Sequence, residues 1–191
     1  MLPGREKGVD VIRAFIGIAL PDGHAEALER LQDSLPLGRA APPENFHLTL
    51  AFLGEQPEHL LEEVHYRLED LRAPAATLEI AGLGTFGKRD ASVVFAEVAQ
   101  DATLRQLREK VRNAVRGAGL DLARERFRPH VTLARIGGRL EPEDLERLRG
   151  WLERNAAFRL PPVPVTEITL YRSTLTRSGA LHDPLARYAI G

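Results

Sequence analysis

Two stretches of this chain are near copies of each other, and they constrain its fold more than any other feature. They read HLTLAFLG at residues 47–54 and HVTLARIG at residues 130–137. Aliphatic and β-branched residues fill each copy and glycine closes it, which predicts two strands. Because successive side chains of a strand point to opposite faces, the His and Thr of each copy share one face. The aliphatic residues between them are expected to anchor the other face in a core.

The same order of elements (strand, helix, motif strand, helix) recurs around the two copies. Helical spacing of apolar residues predicts helices at about 22–35, 57–71, 101–118 and 142–155. Further strands are predicted at 11–20, 77–81, 92–98, 163–171 and 187–190. The recurrence predicts an α+β, bilobal duplicated fold, with two antiparallel-rich sheets lining a central groove and helices packed outside. Residues 1–10 mix Gly, Pro and charge, so we expect a flexible tail before a single domain at 11–191.

Composition narrows the classes of partner and of chemistry. The formal net charge of −1 excludes bulk attraction to nucleic acid, so such binding would depend on a local basic patch. The absence of Cys excludes disulfides, thiol nucleophiles and thiolate metal sites. The apolar run at 11–20 is too short to span a bilayer and is not followed by a signal-peptide cleavage site. We expect a cytoplasmic monomer with no membrane association and no obligate protein partner.

The two His-Thr pairs are the candidate catalytic groups. A single His beside a Thr is usually a structural pair, but burying an imidazole twice in equivalent places is costly and favours a site. Because His titrates near neutral pH, His47 and His130 can act as a general acid and a general base. The hydroxyls of Thr49 and Thr132 can donate hydrogen bonds to oxygens on which charge develops. The pattern favours cleavage or formation of a phosphodiester.

A zinc site is the main chemical alternative, because His is a common zinc ligand. Such a site would need a third ligand near the two motif histidines. None of the remaining histidines forms an H-E-x-x-H motif with a neighbour; they are His24, His59, His65 and His182. We therefore expect no metal and no other cofactor.

Two H-x-T-L motifs whose histidines are 83 residues apart, in a chain of this size, resemble the two-histidine phosphoesterases. More narrowly, the chain is similar to the RNA 2′,3′-cyclic phosphodiesterases of bacteria and archaea, also called 2′-5′ RNA ligases. The opening strand RAFIGIALP and the approaches PENFH and FRPH to the two motifs also resemble this family. The resemblance implies hydrolysis of RNA or nucleotide 2′,3′-cyclic phosphates to 2′-phosphates, with ATP-independent 2′-5′ RNA joining as the related reaction.

The resemblance also implies a role for each site residue. His47 would protonate the leaving 3′ oxygen and His130 would accept a proton from water. Thr49, Thr132 and Arg135, the family's arginine after the second motif, would bind the phosphate. Simple strand alternation places Arg135 on the aliphatic face unless the strand twists or bulges before it.

Two further features concern the edge of the groove. Phe46 and Phe127 are candidates for stacking on a nucleobase. The chain departs from the family where Arg39-Ala40-Ala41 replaces a common Trp, and where His182 stands after the S-x-L-x-x-x-G pattern in place of a Tyr. Nearby arginines at 124, 126 and 128 could attract RNA phosphates.

Two alternative functions use the same groove. One is a non-catalytic protein that binds RNA ends, and the other is a cyclic phosphodiesterase for a small ADP-ribose-type substrate. Substrate comparison separates them, because a binding protein gives no turnover and a small-substrate enzyme does not prefer RNA.

Overall fold

The computed structural model describes residues 11–87, 91–124, 126–176 and 179–191. Within these ranges the elements are β1 (Val11–Ala19), α1 (Asp22–Gln32), β2 (Arg39–Ala40), a 3-10 turn (Pro43–Asn45), β3 (His47–Pro57), α2 (Glu58–Glu69), β4 (Ala76–Phe86), β5 (Val93–Val98), α3 (Ala102–Gly117), β6 (His130–Arg135), α4 (Pro142–Arg154), β7 (Arg159–Val165), β8 (Glu167–Thr176) and β9 (Gly179–Ala189). None of these helices is long and apolar enough to cross a membrane. The predicted tail at 1–10 lies outside the described residues.

The strands form one antiparallel sheet in the order β7-β4-β5-β6-β3-β1-β8-β9, with the short β2 paired to β6. The prediction of an α+β fold is confirmed. The two expected sheets are instead two four-stranded halves of one sheet, because the motif strands β3 and β6 pair with each other. That pairing aligns Leu48 with Val131.

Several strands differ from the sequence prediction, and β4 runs to Phe86, beyond its predicted end at residue 81. The predicted strand at 163–171 is two strands, β7 and β8, with a break at residue 166. The Pro-rich β7 lies at the edge of the sheet. Proline is tolerated in an edge strand because the outer side of that strand has no neighbouring strand to receive an N–H hydrogen bond. The last strand, β9, is also longer than predicted and pairs with β8 over its length.

The aliphatic faces of both motif strands lie in the core as predicted. Leu48, Leu50, Val131 and Leu133 are each at most 2 % exposed, and they belong to one cluster with the buried faces of the helices. The His and Thr of each strand are only half-buried. The sheet therefore packs the helices on one face and keeps the other face of the motif strands for the groove.

Each motif strand contains a β-bulge directly after its Thr. In β6, Thr132 pairs with Phe95 and Ala134 with Val94, so Leu133 is the extra residue. In β3, the residue at the same offset, Leu50, is extra against β1. A bulge reverses the alternation of side chains beyond it. It therefore returns Arg135 to the face of Thr132.

Gln32 of α1 anchors the bulge in β6. Its Nε2 donates to the carbonyl of Leu133 at 2.6 Å and to the carbonyl of Ala41 at 2.9 Å. The Leu133 carbonyl also accepts from the Ala41 backbone N–H at 2.8 Å. Because Gln32 is buried, these bonds satisfy the two hydrogens of its amide nitrogen and give the Leu133 carbonyl a second donor.

We expect Gln32→Ala to lower the free energy of unfolding by about 1–3 kcal/mol, because it leaves a buried carbonyl with one partner fewer. Urea denaturation of the wild type and the variant measures this change. Gln106→Ala, at an exposed position of α3, is the matched control and should change stability by no more than about 0.5 kcal/mol. Equal effects of the two substitutions would contradict the anchoring role.

Candidate active site

The two motifs meet in one cavity of about 530 Å³ in the middle of the groove. We call it the central cavity. Its wall includes both predicted pairs and the predicted arginine: His47, Thr49, His130, Thr132 and Arg135. The size lies in the range of small-molecule binding sites. The structure therefore brings together five residues that come from two distant parts of the chain.

The two imidazoles are held by equivalent hydrogen bonds. Nδ1 of His47 contacts the carbonyl of Asn45 at 2.7 Å, and Nδ1 of His130 contacts the carbonyl of Arg128 at 2.8 Å. In both cases the carbonyl belongs to the residue two positions earlier. A carbonyl can only accept, so each Nδ1 carries a proton and each neutral ring has Nε2 as its acceptor atom. The atoms available for proton transfer are thus the two Nε2 atoms.

Aromatic rings fix the orientation of both imidazoles. The ring of Phe15 lies 4.6 Å from that of His47, centroid to centroid. Phe86 meets His130 edge-on at 4.8 Å, and Phe95 lies 5.3 Å away. Nε2 of His47 also lies 3.1 Å from the hydroxyl of Thr49, which can donate to it in the free protein. These contacts restrict ring rotation before any substrate arrives.

Burial and nearby positive charge make both imidazoles weak bases in the free protein. Burial is the largest cause and lowers the pKa of His47 to about 4, with further lowering by His182, His130 and Arg135. Burial also lowers the pKa of His130, and Arg128 and Arg135 add to the effect. Both rings are therefore neutral at neutral pH. A bound anion would raise both pKa values, because it stabilises the protonated form.

The second residue after the extra residue of each bulge faces the groove, at equivalent positions of the two motifs. These residues are Arg135 in β6 and Phe52 in β3, and both line the central cavity. Phe52 is 47 % exposed, and the guanidinium of Arg13 lies 4.7 Å from the centre of its ring. The duplicated motif thus supplies a cation from one half and an exposed ring from the other. Phe52 was not predicted as a site residue, because the bulge that turns it outward leaves no mark in the sequence.

The two predicted stacking residues lie elsewhere. Phe46 is 4 % exposed and packs in the core, and it also borders the cavity next to His47 and His182. Its stacking role stays a prediction. Phe127 packs partly against the core with the guanidinium of Arg108 4.5 Å from its ring centre. Its stacking role stays a prediction.

His182 is a third histidine of the site that sequence reasoning did not select. Its ring lies edge-on to His47 at 5.0 Å and 4.8 Å from Phe15. Its Nδ1 is buried and has no hydrogen-bond partner among the described residues. Burial, Arg135 and Arg13 lower its pKa, and Asp183 opposes them. The sequence signal was the departure from the family at this position.

Two other histidines have structural partners. His24 is buried with Nε2 2.8 Å from the carbonyl of Pro161, and Nδ1 of His65 lies 2.9 Å from the hydroxyl of Tyr188. In the part of the chain that the structure describes, no three His, Cys, Asp or Glu side chains are grouped as metal ligands.

Known proteins resemble the chain over most of its length. Residues 20–177 match the 2′-5′ RNA ligase superfamily. An RNA 2′,3′-cyclic phosphodiesterase of Aeropyrum pernix is 35 % identical over 165 residues, which cover 83 % of this chain and 92 % of that protein. The enzyme of the same name from Geobacillus stearothermophilus is 33 % identical over 171 residues, and the chain spans 53 % of its length.

Solved structures share the fold. E. coli LigT in its apo form has a TM-score of 0.76 and 27 % sequence identity, covering 95 % of this chain and 98 % of that one. LigT complexed with 3′-AMP has a TM-score of 0.74 at 26 % identity, again over 95 % of this chain.

The low pKa of His47 should make the folded protein less stable in acid. The pKa is about 4 when folded and 6.5 for an ordinary His, so between these values the unfolded chain binds more protons. The free energy of unfolding therefore falls as the pH drops through this window, and His47 contributes at most about 3 kcal/mol. We expect the free energy of unfolding of His47→Asn to fall less than that of the wild type between pH 7 and about pH 4.5. Urea denaturation at the two pH values measures both changes.

His59→Asn is the matched control for this measurement, because His59 is exposed on α2. It should retain the wild-type dependence of stability on pH. If His47→Asn also retained it, the pKa of His47 would not be lowered by folding.

Proposed function

Because the chain belongs to the 2′-5′ RNA ligase superfamily, we propose that it hydrolyses 2′,3′-cyclic phosphates at RNA ends or on nucleotides, releasing 2′-phosphates. The observation that carries the proposal is the pair of histidines in one cavity, each with Nδ1 bonded to a carbonyl and Nε2 available. The relatives named RNA 2′,3′-cyclic phosphodiesterase support the same reaction class.

In the proposed mechanism one imidazole takes a proton and the other gives one. His130 Nε2 accepts a proton from water as the water oxygen attacks phosphorus. His47 donates its Nε2 proton to the 3′ oxygen as the bond from phosphorus to that oxygen breaks. The product has a 2′-phosphate and a 3′-hydroxyl, and solvent then restores both histidines. The carbonyls bonded to Nδ1 stabilise each ring while it is protonated.

Arg135 and the two threonines would hold the phosphate between the histidines. A guanidinium and two hydroxyls together donate several hydrogen bonds to the non-bridging oxygens, on which charge increases during attack. All three side chains line the central cavity. In joining to a 5′-hydroxyl RNA end, that hydroxyl would replace water as the nucleophile and no ATP would be consumed.

The substrate would supply the charge that allows His47 to act as an acid. With a pKa of about 4, His47 is almost fully deprotonated in the free protein at neutral pH. A cyclic phosphodiester carries one negative charge, and placing it between the rings raises the pKa of each. Substrate binding and protonation of His47 are therefore coupled.

We expect replacement of either motif histidine to remove turnover. His47→Ala and His130→Ala should each lower kcat for a 2′,3′-cyclic mononucleotide by about 10²–10⁴-fold, because each removes one proton-transfer group. EDTA should leave the wild-type rate unchanged, and phosphorus NMR should identify a 2′-phosphate. His59→Ala is the matched control and should retain wild-type kcat.

The outcome separates the alternatives. Near-normal hydrolysis by His130→Ala would refute the acid–base assignment. Salt-dependent binding of cyclic-phosphate ends by the wild type without turnover would support the RNA-end binding protein instead.

The pH dependence should differ between free and bound protein. The profile of kcat/KM reports groups in the free protein, and that of kcat reports groups in the complex. Since the bound anion raises the histidine pKa values, the optimum of kcat should lie at higher pH than that of kcat/KM. Arg135 lowers the pKa of both catalytic histidines, so Arg135→Gln should move the kcat/KM optimum to higher pH. Steady-state kinetics from pH 4 to 9 test both shifts, and movement in the opposite direction would contradict the coupling.

A further inference from the structure

The central cavity continues on both sides into cavities of opposite charge. One, of about 400 Å³, meets it at His47 and His182; we call it the acidic arm, and its wall includes Asp22, Glu26, Glu29 and Glu44. The other, of about 450 Å³, meets it at Thr49, Phe52 and His130; we call it the basic arm, and its wall includes Arg108, Arg112, Arg126 and Arg128. Among the described residues, no Lys or Arg lines the acidic arm and no Asp or Glu lines the basic arm.

The basic arm combines fixed cations with aromatic rings. Arg112 donates to the carbonyl of Ala123 at 2.7 Å, which fixes its guanidinium in the wall. The guanidinium of Arg128 lies 4.7 Å from the ring centre of Phe86. Proteins that bind single-stranded nucleic acid combine basic grooves with rings on which bases stack. The exposed Phe52 lies where this arm joins the central cavity.

Some of this positive charge is offset. Arg108 is buried and forms an ion pair with Glu109 at 3.2 Å, so it contributes less than a free cation. Arg126 and Arg128 are exposed, and their charge faces solvent along the groove. These two arginines are therefore the ones best placed to meet phosphates.

The acidic arm is lined by carboxylates and is negatively charged. Asp22, Glu26 and Glu29 follow one another at helical spacing on α1, and Glu44 faces them from the 3-10 turn. Glu26 forms an exposed ion pair with Arg30 at 3.7 Å, which offsets part of its charge, and the other three carboxylates leave the arm negative. Like charges within about 8 Å repel appreciably at physiological salt. A strand of phosphates would therefore be disfavoured in this arm.

We propose that the groove binds a single RNA strand in one direction, with the terminal cyclic phosphate in the central cavity and the preceding nucleotides along the basic arm. This inference rests on the proposed function and adds to it which of the two arms holds the strand. The negative arm excludes the reverse path. A chain with a net charge of −1 thus binds a polyanion through local charge separation.

The test compares a 2′,3′-cyclic mononucleotide with a pentanucleotide ending in the same cyclic nucleotide. In the wild type, kcat/KM for hydrolysis should be higher for the pentanucleotide. If two phosphates contact the basic arm, this advantage should fall about sevenfold between 50 and 200 mM salt, since each contact in a single strand contributes a slope of about −0.7.

Two double variants locate the strand. Arg126→Gln with Arg128→Gln should remove most of the pentanucleotide's advantage and of its salt dependence. Glu29→Gln with Glu44→Gln should retain the advantage. Arg105→Gln with Arg116→Gln, both exposed on α3 and outside the walls of the central cavity and the basic arm, is the matched control because it removes the same number of positive charges.

Each result decides the proposal. It is overturned if the wild type hydrolyses both substrates with equal kcat/KM, if the arginine variant keeps the advantage, or if the glutamate variant loses it. Absence of hydrolysis of both substrates by the wild type would refute the proposed function instead. In that case, fluorescence anisotropy with a labelled pentanucleotide measures binding of the strand without turnover. Equal affinity of the wild type and the arginine variant then overturns the proposal.

Discussion

The pairing of β3 with β6 is the constraint on which the groove depends. It joins the two four-stranded halves of the sheet through strands that carry the same motif, aligned at Leu48 and Val131. Because neighbouring antiparallel strands place their like faces together, equivalent side chains of the two copies face one cavity. The aliphatic residues on the opposite face bury both strands against the helices, so the core fixes the positions of the two imidazoles.

The sequence predicted the faces of the motif strands but not their bulges. His47 and His130 were placed correctly from alternation alone, since no irregularity precedes the Thr in either copy. Arg135 could be assigned only by resemblance. The bulge at Leu133 depends on hydrogen bonds from Gln32 and Ala41, which are distant in sequence. A bulge stabilised by such tertiary contacts has no local sequence signature, and Phe52 was missed for the same reason.

Strands β8 and β9 show a second limit of prediction from the sequence. His182 reaches the site because β9 pairs with β8 from Gly179 onward, opposite Ser173. The residues of β9 alternate weakly, and Pro184 interrupts them, so only the end of the strand was predicted.

Electrostatics links the two arms to the chemistry in the central cavity. Burial is the main cause of the low pKa values of His47 and His130, and Arg135, which would bind the phosphate in the proposed mechanism, lowers both further in its absence. A free site therefore holds neutral imidazoles, which avoids burying two more positive charges beside the arginines. Arrival of an anion reverses this balance, because it both neutralises the arginines and favours protonated histidine. In the proposed mechanism, the charge that attracts the substrate thus also helps to delay formation of the catalytic acid until the substrate is bound.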